Sequence, residues 1–585
     1  MDPLYTCSDI LNCLERSPSN PKAFNTRCND GWQPTSTEEF LTSVKYAALG
    51  LQEIGMQRGA RVGILANPST EWTIVDMAIM LAGGVSVPLF ANISDENFVY
   101  EAKEAELKIL FVEGVEQWAM FHRHVDLFQT AVAVGQESTS EKTMTFAELK
   151  AQGQLADQRD STLYRTMRGR LKPSDLGTII YTSGSTGIPK GAELTHQNLT
   201  CVLNFPDFNW NPARDRYLSV LPLAHVFGHC INLWAMAWGA SIYYSTDYKN
   251  LGAICREVRP TATVVVPRLL EKIYAKIVEQ TYAATGLKHT IGHWALSLAN
   301  VKKPSFSGRL LHPVANLLVY KKLRKALGGE VRFVISGGAP LSPQLQSFYE
   351  TIGIPIYEGW GLTEACPVTV NRPHHHKRGT VGLPLKGHEV KISSEGEILV
   401  KGPLVMRGYY CNPELTAQTI DHDRWLHTGD RGTVDRDGFL TILGRMKELY
   451  KTSTGEYVAP VPIEQALGRY PLIDMSMVVA EGRKFVSCLL FPNHDVIARM
   501  KAKNKAEHLS DEEYLKSEDI RIEIDNLVKE INKHLNHWEE IHAYRFILEP
   551  LTIQNGELTP SMKIRREVVV KKYSHLIDGI YKEKS

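Results

Sequence analysis

The sequence has 585 residues, of which 43% are hydrophobic and 22% charged, and its net charge is +1. At ~150 residues per domain, this length predicts three or four folding units in a soluble globular protein. The balanced charge argues against a global attraction to nucleic acid or to anionic membranes and leaves only local basic patches to consider.

Three further features of the chain favour a cytoplasmic protein. Its nine cysteines are scattered and include no Cys-x-x-Cys pair, which argues against a disulfide framework and favours reduced thiols. The first fifteen residues lack a basic stretch followed by an apolar one, so we expect no signal peptide. The longest apolar stretch, residues 74–90, contains Asp76 and Pro88, and it predicts a buried helix followed by a strand rather than a membrane span. Membrane association stays open.

The first 340 residues alternate helical and strand-like segments. An amphipathic stretch at 40–56 predicts a helix, and short apolar runs at 61–66, 85–90 and 109–112 predict buried strands. Further strand candidates lie at 216–221, 241–245, 261–266 and 331–336. Strands separated by helices indicate βαβ units and parallel sheets, so we expect two stacked α/β subdomains here.

The pattern changes after about residue 380. Short alternating segments at 390–392, 397–400 and 438–443 are separated by Gly, Pro and Asp turns, which predicts a small β subdomain. The tail contains strand candidates at 475–479 and 485–490 and a highly charged, solvated helix at 512–537. The sequence therefore predicts a multidomain α/β and α+β protein. Residues 1–443 form the large N-terminal region, with its β subdomain at about 380–443, and residues 444–585 form a small mobile α+β domain.

The segment Tyr181-Thr-Ser-Gly-Ser-Thr-Gly-Ile-Pro-Lys-Gly191, here called the phosphate loop, follows a strand-like run at 176–180. Its glycines allow several backbone N–H groups to turn toward one anion. Hydroxyls and an ammonium group add further donors; the predicted phosphate ligands are Thr182, Ser183, Gly184, Ser185, Thr186, Gly187 and Lys190. The spacing of glycines and lysine is not that of a Walker A loop, so P-loop phosphoryl transfer is disfavoured.

The phosphate loop resembles the signature of the acyl-adenylate-forming (AMP-binding) superfamily, which includes acyl-CoA synthetases, luciferases and adenylation domains. The resemblance continues in order from about Phe40 to Lys572. Within the superfamily the chain looks most like a bacterial long-chain fatty acyl-CoA synthetase. Three segments carry this likeness: Val266-Pro-Arg-Leu-Leu-Glu-Lys-Ile-Tyr274, Gly361-Leu-Thr-Glu-Ala-Cys-Pro367 and Gly455-Glu-Tyr-Val-Ala-Pro460.

The resemblance assigns expected roles to the middle of the chain. His225, in a Leu-Pro-Leu-Ala-His motif, would lie beside the acyl carboxylate, and His229 takes the place of a gating aromatic found in some long-chain enzymes. Glu364 and Thr182 would hold Mg²⁺, for which carboxylate and hydroxyl oxygens are suited. Thr363 would contact the α-phosphate, and Trp360 offers a face for adenine. The remaining adenine-side residues implied are Gly337, Gly338, Ala339, Glu358 and Gly359.

Later motifs complete the implied site. Asp430 would accept the ribose hydroxyls, and the nucleotide would also contact Arg445, Lys447 and Lys451. Lys563 would stabilise charge at the α-phosphate, which makes it the predicted catalytic lysine with His225 and Thr363. Gly444 occupies the expected hinge position, and the loop with Gly455 and Glu456 would serve the CoA step.

The function implied by the resemblance is ATP-dependent activation of a fatty acid to acyl-AMP, followed by transfer to CoA. Fatty acid, ATP and CoA are then the partners and Mg²⁺ the cofactor, with no nucleic acid. Two alternatives stay open: a fatty acyl-AMP ligase that serves a carrier-protein phosphopantetheine, and a catalytically silent nucleotide-binding protein. Chain length of the acid, a homodimer and peripheral membrane contact also stay open.

Overall fold

A computed structural model describes residues 3–29, 31–135, 142–183, 188–201, 203, 208–299, 306–446, 449–453, 455–559 and 563–583. The chain forms a large N-terminal region of sheets and helices and a smaller C-terminal domain, which confirms the predicted mixed α/β and α+β class.

One sheet of the N-terminal region carries the phosphate loop. Its central strands are parallel and almost wholly buried, as their continuous apolar sequences predict. The next pair, Leu176–Ser183 and Pro189–Thr195, is an antiparallel hairpin. In spatial order the eight strands found in the described residues are Gly408–Tyr409, Pro189–Thr195, Leu176–Ser183, Val85–Leu89, Arg61–Leu65, Ile109–Val112, Thr130–Ala133 and Thr143–Thr145.

A second sheet lies beside the first and is also parallel through its middle. Parallel strands end at one edge of their sheet, and ligands commonly bind at this edge. Its nine strands, within the described part of the chain, are in spatial order Leu383–Pro384, Ala365–Val370, Ile356–Leu362, Phe333–Ser336, Ala262–Val265, Arg216–Ser219, Ser241–Tyr244, Phe24–Cys28 and Gly31–Thr35.

Helices cover and connect these sheets. Several begin at a serine or threonine whose hydroxyl accepts a hydrogen bond from the first-turn backbone; Ser36, Ser69, Ser94 and Thr145 are examples. The α-helices of this region are Cys7–Arg16, Thr37–Glu53, Thr70–Leu81, Asp95–Glu104, Val115–Arg123, Phe146–Arg159, Leu163–Gly169, His196–Thr200, Val226–Ala237, Leu251–Val258, Pro267–Ala283, Leu287–Ala299, Phe306–Ala315, Lys321–Ala326, Pro343–Thr351 and Pro413–Thr419, with a 3-10 turn at Val125–Leu127 and a π-helical turn at Asn316–Tyr320.

The apolar stretch 74–90 forms a buried helix and the following strand, as predicted. No helix within the described residues is long and apolar enough to cross a membrane.

The predicted β subdomain contains a four-stranded antiparallel sheet, counted over the described residues. Its strands are Glu389–Ile392, Glu397–Lys401, Leu426–Val434 and Leu440–Arg445. Gly444 lies inside the last strand, opposite Arg431, with a φ of +139°. The chain therefore leaves this sheet after Arg445, two residues beyond the predicted boundary at 443.

The C-terminal domain has its own apolar core, in which Val458, Ile463, Leu490 and Ile524 are fully buried. Its sheet strands are Ile473–Val479, Val486–Pro492 and Ile541–Phe546, and a ribbon pairs Tyr450–Lys451 with Tyr457–Val458. Its helices are Pro460–Leu467, His494–Lys503, Asp511–Leu515, Glu518–Asn532, Arg566–Lys572 and Ser574–Glu583, with a 3-10 turn at His537–Glu539.

The single helix predicted at 512–537 is wrong. Two helices, Asp511–Leu515 and Glu518–Asn532, replace it. Ser517, in an extended conformation (φ −60°, ψ 152°), is the N-cap of the second helix and interrupts the helical backbone.

Polar contacts join the C-terminal domain to the N-terminal region. The Arg268 guanidinium lies 2.9 Å from Asp474 Oδ1, and Arg469 donates to Ser342 Oγ at 2.6 Å. Gln465 donates from its side-chain amide to the carbonyl of Pro340. The domain therefore packs beside the segment that follows the Gly337-Gly338-Ala339 motif.

Candidate active site

The phosphate loop begins and ends in the two paired strands of a hairpin. In the last two residue pairs of this hairpin, Thr182 lies opposite Lys190 and Ser183 lies opposite Pro189. Thr182 and Lys190 are both half-buried neighbours on this hairpin. The predicted ligands Gly184, Ser185, Thr186 and Gly187 lie outside the described residues, so the roles predicted for them stay predictions.

Tyr409 connects the hairpin to the predicted metal ligand. Its strand pairs with the hairpin through Ala192, and its buried hydroxyl donates to Glu364 Oε1 at 2.5 Å. Lys190 Nζ lies 5.9 Å from the centre of the same ring. Burial and the nearby Glu364 carboxylate raise the pKa of Tyr409, which keeps its proton available for this bond. Sequence reasoning missed Tyr409, because a two-residue strand carries no periodic signal.

The predicted adenine side forms at the carboxyl ends of two adjacent parallel strands. Ser336 pairs with Glu358, which brings the Gly337-Gly338-Ala339 turn beside the Glu358-Gly359-Trp360 segment. Gly338 has a φ of +78°, which favours glycine. A Cβ on Gly337 would lie 3.0 Å from Phe227 Cζ and 3.2 Å from the Gly359 carbonyl oxygen. A larger residue at 337 would therefore require the Phe227 ring or the Gly359 backbone to shift by a few tenths of an ångström.

Glu358 is a buried carboxyl group at the same edge, 6% exposed. The backbone N–H of Leu341 donates to its Oε2 at 3.2 Å, and its Oε1 has no hydrogen-bond partner within the described residues. Burial raises the pKa of Glu358 to about 7, although the Leu341 bond partly offsets this. A buried oxygen without a partner is costly, so this atom is a candidate contact for a bound group.

Asp430 connects the adenine side to the β subdomain. It is 5% exposed; the Trp360 indole N–H donates to its Oδ2 at 2.9 Å, and Arg445 Nε lies 2.8 Å from its Oδ1. Asp430 and Arg445 are directly opposite on paired antiparallel strands, which brings the two side chains together. Thr363, half-buried, lies in the turn that follows the Trp360 strand.

His225 and Lys563 approach each other from the two parts of the chain. His225 is the N-cap of helix Val226–Ala237, and its Nδ1 accepts from the Phe227 N–H at 3.2 Å. Burial and the positive charge of Lys563 lower the pKa of His225 to about 4. A neutral imidazole that accepts at Nδ1 carries its proton on Nε2, from which it can donate to a carboxylate.

His229 lies one helical turn further, and its predicted place at a gating position stays a prediction. It is fully buried, and its Nε2 lies 2.9 Å from Asp76 Oδ2, while Ser86 Oγ donates to the other carboxylate oxygen at 2.6 Å. The opposing effect of Asp76 outweighs burial and raises the pKa of His229. This side chain is part of a buried polar network.

Other predicted residues lie in the C-terminal part. Lys451 is exposed on the ribbon, with its Nζ 5.9 Å from the centre of the Tyr457 ring. Gly455, with a φ of +92°, and exposed Glu456 lie at the turn of that ribbon. Lys447 lies outside the described residues. The predicted nucleotide and CoA contacts of these four residues stay predictions.

The hairpin strands, the paired strand ends and His225, which is in the electrostatic range of Lys563, lie where a large α/β region meets a small C-terminal domain. The AMP-binding enzyme family matches residues 14–410, and the C-terminal domain of AMP-binding enzymes matches residues 448–585. The chain belongs to the AMP-binding enzyme family.

Named relatives refine this class. A Mycobacterium bovis protein called long-chain-fatty-acid–CoA ligase FadD15 is 35% identical over 570 residues, covering 95% of this chain and 94% of that protein. The Xenopus laevis long-chain-fatty-acid–CoA ligase ACSBG2 is 32% identical over 96% of this chain and 82% of that protein.

Solved structures share the fold. The A domain of carboxylic acid reductase from Segniliparus rugosus, in complex with AMP and a carboxylic acid, matches with a TM-score of 0.75 and 22% identity, covering 100% of this chain and 95% of that chain. The anthranilate CoA ligase AuaEII matches with a TM-score of 0.73 and 18% identity over 99% of both chains.

Proposed function

We propose that this enzyme activates a long-chain fatty acid with ATP and transfers the acyl group to CoA, giving acyl-CoA, AMP and pyrophosphate. The pairing of Ser336 with Glu358 carries the proposal at the level of the site, because it brings the Gly337-Gly338-Ala339 turn beside the strand whose Trp360 donates to buried Asp430. The names of the relatives at 35% and 32% identity support the fatty acid and CoA.

In the first half-reaction a carboxylate oxygen of the fatty acid attacks the α-phosphorus of ATP. The new bond joins that oxygen to phosphorus, and the bond to the bridging oxygen breaks as pyrophosphate leaves. His225 orients the carboxylate by donating from Nε2, and Lys563 stabilises the negative charge that develops at the α-phosphate. No enzyme nucleophile is required.

Mg²⁺ suits the donor set at the phosphate side. Within the described residues, no group of three or more His, Cys, Asp or Glu side chains could hold a metal. Mg²⁺ usually binds through one or two protein oxygens together with phosphates and water, so Glu364 and Thr182 are a sufficient pair. The ion would neutralise phosphate charge, while Tyr409 holds the Glu364 carboxylate in place.

The second half-reaction requires a different domain position. We place the rotation at Gly444 and the residues that follow it; it moves Lys563 away and brings the Gly455-Glu456 turn to the site. The CoA thiolate then attacks the acyl carbonyl carbon, and the bond from that carbon to the AMP oxygen breaks. Acyl-CoA and AMP are the products.

The test replaces Lys563 with alanine and measures the two half-reactions separately. ATP–pyrophosphate exchange with a fatty acid should fall by about 10²-fold or more, because a preorganised charge at the transition state is lost. Thioester formation from supplied acyl-AMP should fall much less. Lys571→Ala, which removes an exposed lysine from the nearby helix, is the matched control. Exchange that is equal in the two variants would remove Lys563 from the mechanism.

The acceptor and the acid are tested with the unmodified enzyme. A screen of acids from acetate to long chains, with ATP, Mg²⁺ and CoA, should give its highest kcat/KM with a long-chain acid. Thioester formed on a carrier protein but not on free CoA would indicate the acyl-AMP ligase instead. The absence of ATP–pyrophosphate exchange with every acid would indicate a silent nucleotide-binding protein.

A further inference from the structure

The fifty residues 280–329 differ in charge from the rest of the chain. They contain eight lysines and arginines and no aspartate or glutamate, in a protein whose net charge is +1. They also contain six of the seventeen large hydrophobic side chains that are exposed within the described residues. Positive charge and exposed apolar area are thus concentrated in the same short part of the chain.

One helical run, residues 306–326, presents both features on its outer side. Its inner side packs into the core through Ala315 and Tyr320, which are fully buried. Its outer side carries aliphatic residues followed by basic residues at helical spacing. We call this the apolar–basic face; its members are Leu311, Val314, Leu317, Leu318, Lys321, Lys322 and Lys325.

The aliphatic half of this face is unusually open for a soluble protein surface. Leu317 is 67% exposed and Val314 46%, and Leu311 and Leu318 are 41% and 39% exposed. Helical faces in contact with water normally carry polar residues, whereas this half is aliphatic and the whole face contains no acidic residue. An exposed apolar patch of neighbouring side chains indicates an interaction surface.

The basic half continues into a recess of about 490 Å³ at the end of the helical run. Its lining includes Arg256, Arg259, Lys321 and Lys325, together with Glu330, which pairs with Arg259 at 2.5 Å. No acidic side chain in the described part of the chain forms a salt bridge with Lys321, Lys322 or Lys325. The recess therefore offers the ammonium groups of Lys321 and Lys325 and the guanidinium group of Arg256 to an anion from outside.

We propose that the apolar–basic face docks on an anionic lipid bilayer surface. Aliphatic side chains on one stretch of a helix enter the boundary between headgroups and acyl chains, while lysines reach the lipid phosphates. Charge complementarity favours this occupant over a second copy of the chain, because self-association would bring two strongly basic surfaces together. The enzyme would lie on the membrane, since no described helix can span it.

The docking face is structurally connected to the active site. The helix Pro267–Ala283 leads into this part of the chain and starts immediately after Val266, whose Cγ1 would lie 3.8 Å from a Cβ on Gly338. This proposal goes beyond the ligase function, and vesicle binding measures it without turnover. Its failure would leave the ligase assignment intact.

The experiment measures co-sedimentation of the full-length enzyme with phosphatidylcholine vesicles that contain or lack phosphatidylglycerol. Binding should require the anionic lipid and should weaken as salt rises from ~0.1 M to ~1 M, which shortens the screening length from ~10 Å to ~3 Å. A K321Q/K322Q/K325Q variant should bind roughly 100-fold more weakly, since each lysine near an anionic surface strengthens binding about fivefold.

Matched controls separate this face from general surface charge and hydrophobicity. K103Q/K108Q/K503Q removes three exposed lysines elsewhere and should bind like the unmodified enzyme. Leu317→Ser/Leu318→Ser should weaken binding, whereas Val115→Ser/Leu155→Ser, which changes side chains 81% and 59% exposed, should not. Unfolding midpoints that match that of the unmodified enzyme verify that every variant is folded.

Two results would overturn the proposal. One is vesicle binding that is equal with and without anionic lipid and unchanged in the triple glutamine variant. The other is a dimer in sedimentation analysis that Leu317→Ser/Leu318→Ser converts to monomer while vesicle binding is unchanged, which would make the face an interface between copies.

Discussion

Replacing Tyr409 with phenylalanine should weaken the use of Mg–ATP while leaving the fold intact. The change removes one hydroxyl, which donates to Glu364 Oε1 at 2.5 Å, and retains the ring beside Lys190. A hydrogen bond to a charged group contributes about 1.5–3 kcal/mol, so kcat/KM for adenylation should fall ~10- to 150-fold. The loss should be largest at low Mg²⁺, because Tyr409 acts by positioning the proposed metal ligand.

The assay is ATP–pyrophosphate exchange titrated with Mg²⁺, accompanied by thermal unfolding. Tyr410→Phe is the matched control, because it removes a hydroxyl from the next residue in sequence. The half-buried Tyr410 ring has Arg61 as its neighbour, with the guanidinium 5.9 Å from the ring centre. We expect a higher Mg²⁺ midpoint for Tyr409→Phe alone. The reasoning is refuted if the two variants have the same Mg²⁺ dependence, or if Tyr409→Phe loses activity only in proportion to lost folded protein.

Two further substitutions test the adenine side. Burial raises the pKa of Glu358 in the folded protein to about 7, from 4.5 in the unfolded chain. Between these pH values the Glu358 carboxyl therefore keeps its proton in the folded protein and releases it on unfolding. Wild-type stability therefore falls as pH rises from 4.5 to 7, and Glu358→Gln, which is neutral throughout, should gain up to about 3 kcal/mol relative to it by pH 8. Unfolding midpoints at pH 5 and pH 8 measure this gain, and an equal difference at both would contradict it. Gly337→Ala should cost about 1–3 kcal/mol by overpacking against Phe227, and it should raise the KM for ATP; an unchanged unfolding midpoint and KM would show that Phe227 yields without cost.

Local patterns were enough to predict the elements that hold the site. The strands Arg61–Leu65, Val85–Leu89 and Ile109–Val112 are buried on both faces, so their sequences are short continuous apolar runs, separated by longer helical segments. The β subdomain was recognisable for a similar reason, since its strands alternate and its turns carry glycine and aspartate.

Features that depend on pairing between distant segments could not be predicted in this way. Tyr409 is 45 residues from Glu364 in sequence, and only the edge pairing of its two-residue strand brings the two together. Trp360 was expected to offer only a ring face, yet its indole N–H is bonded to Asp430, 70 residues away. The break at Ser517 was missed because the charged residues on both sides continue the same helical pattern.

The arrangement of cations explains how one site can serve two half-reactions. Asp430 and its partner Arg445 lie in the sheet of the β subdomain, whereas Lys563 belongs to the domain proposed to rotate. Arg268 and Asp474 form an ion pair between the two parts of the chain, and their side chains are 32% and 39% exposed. Such exposed pairs contribute at most about 1 kcal/mol each, so breaking contacts of this kind costs little free energy when the domain rotates. Rotation would therefore withdraw the charge needed for adenylation while the proposed ribose contacts persist, so acyl-AMP stays bound as the CoA step begins.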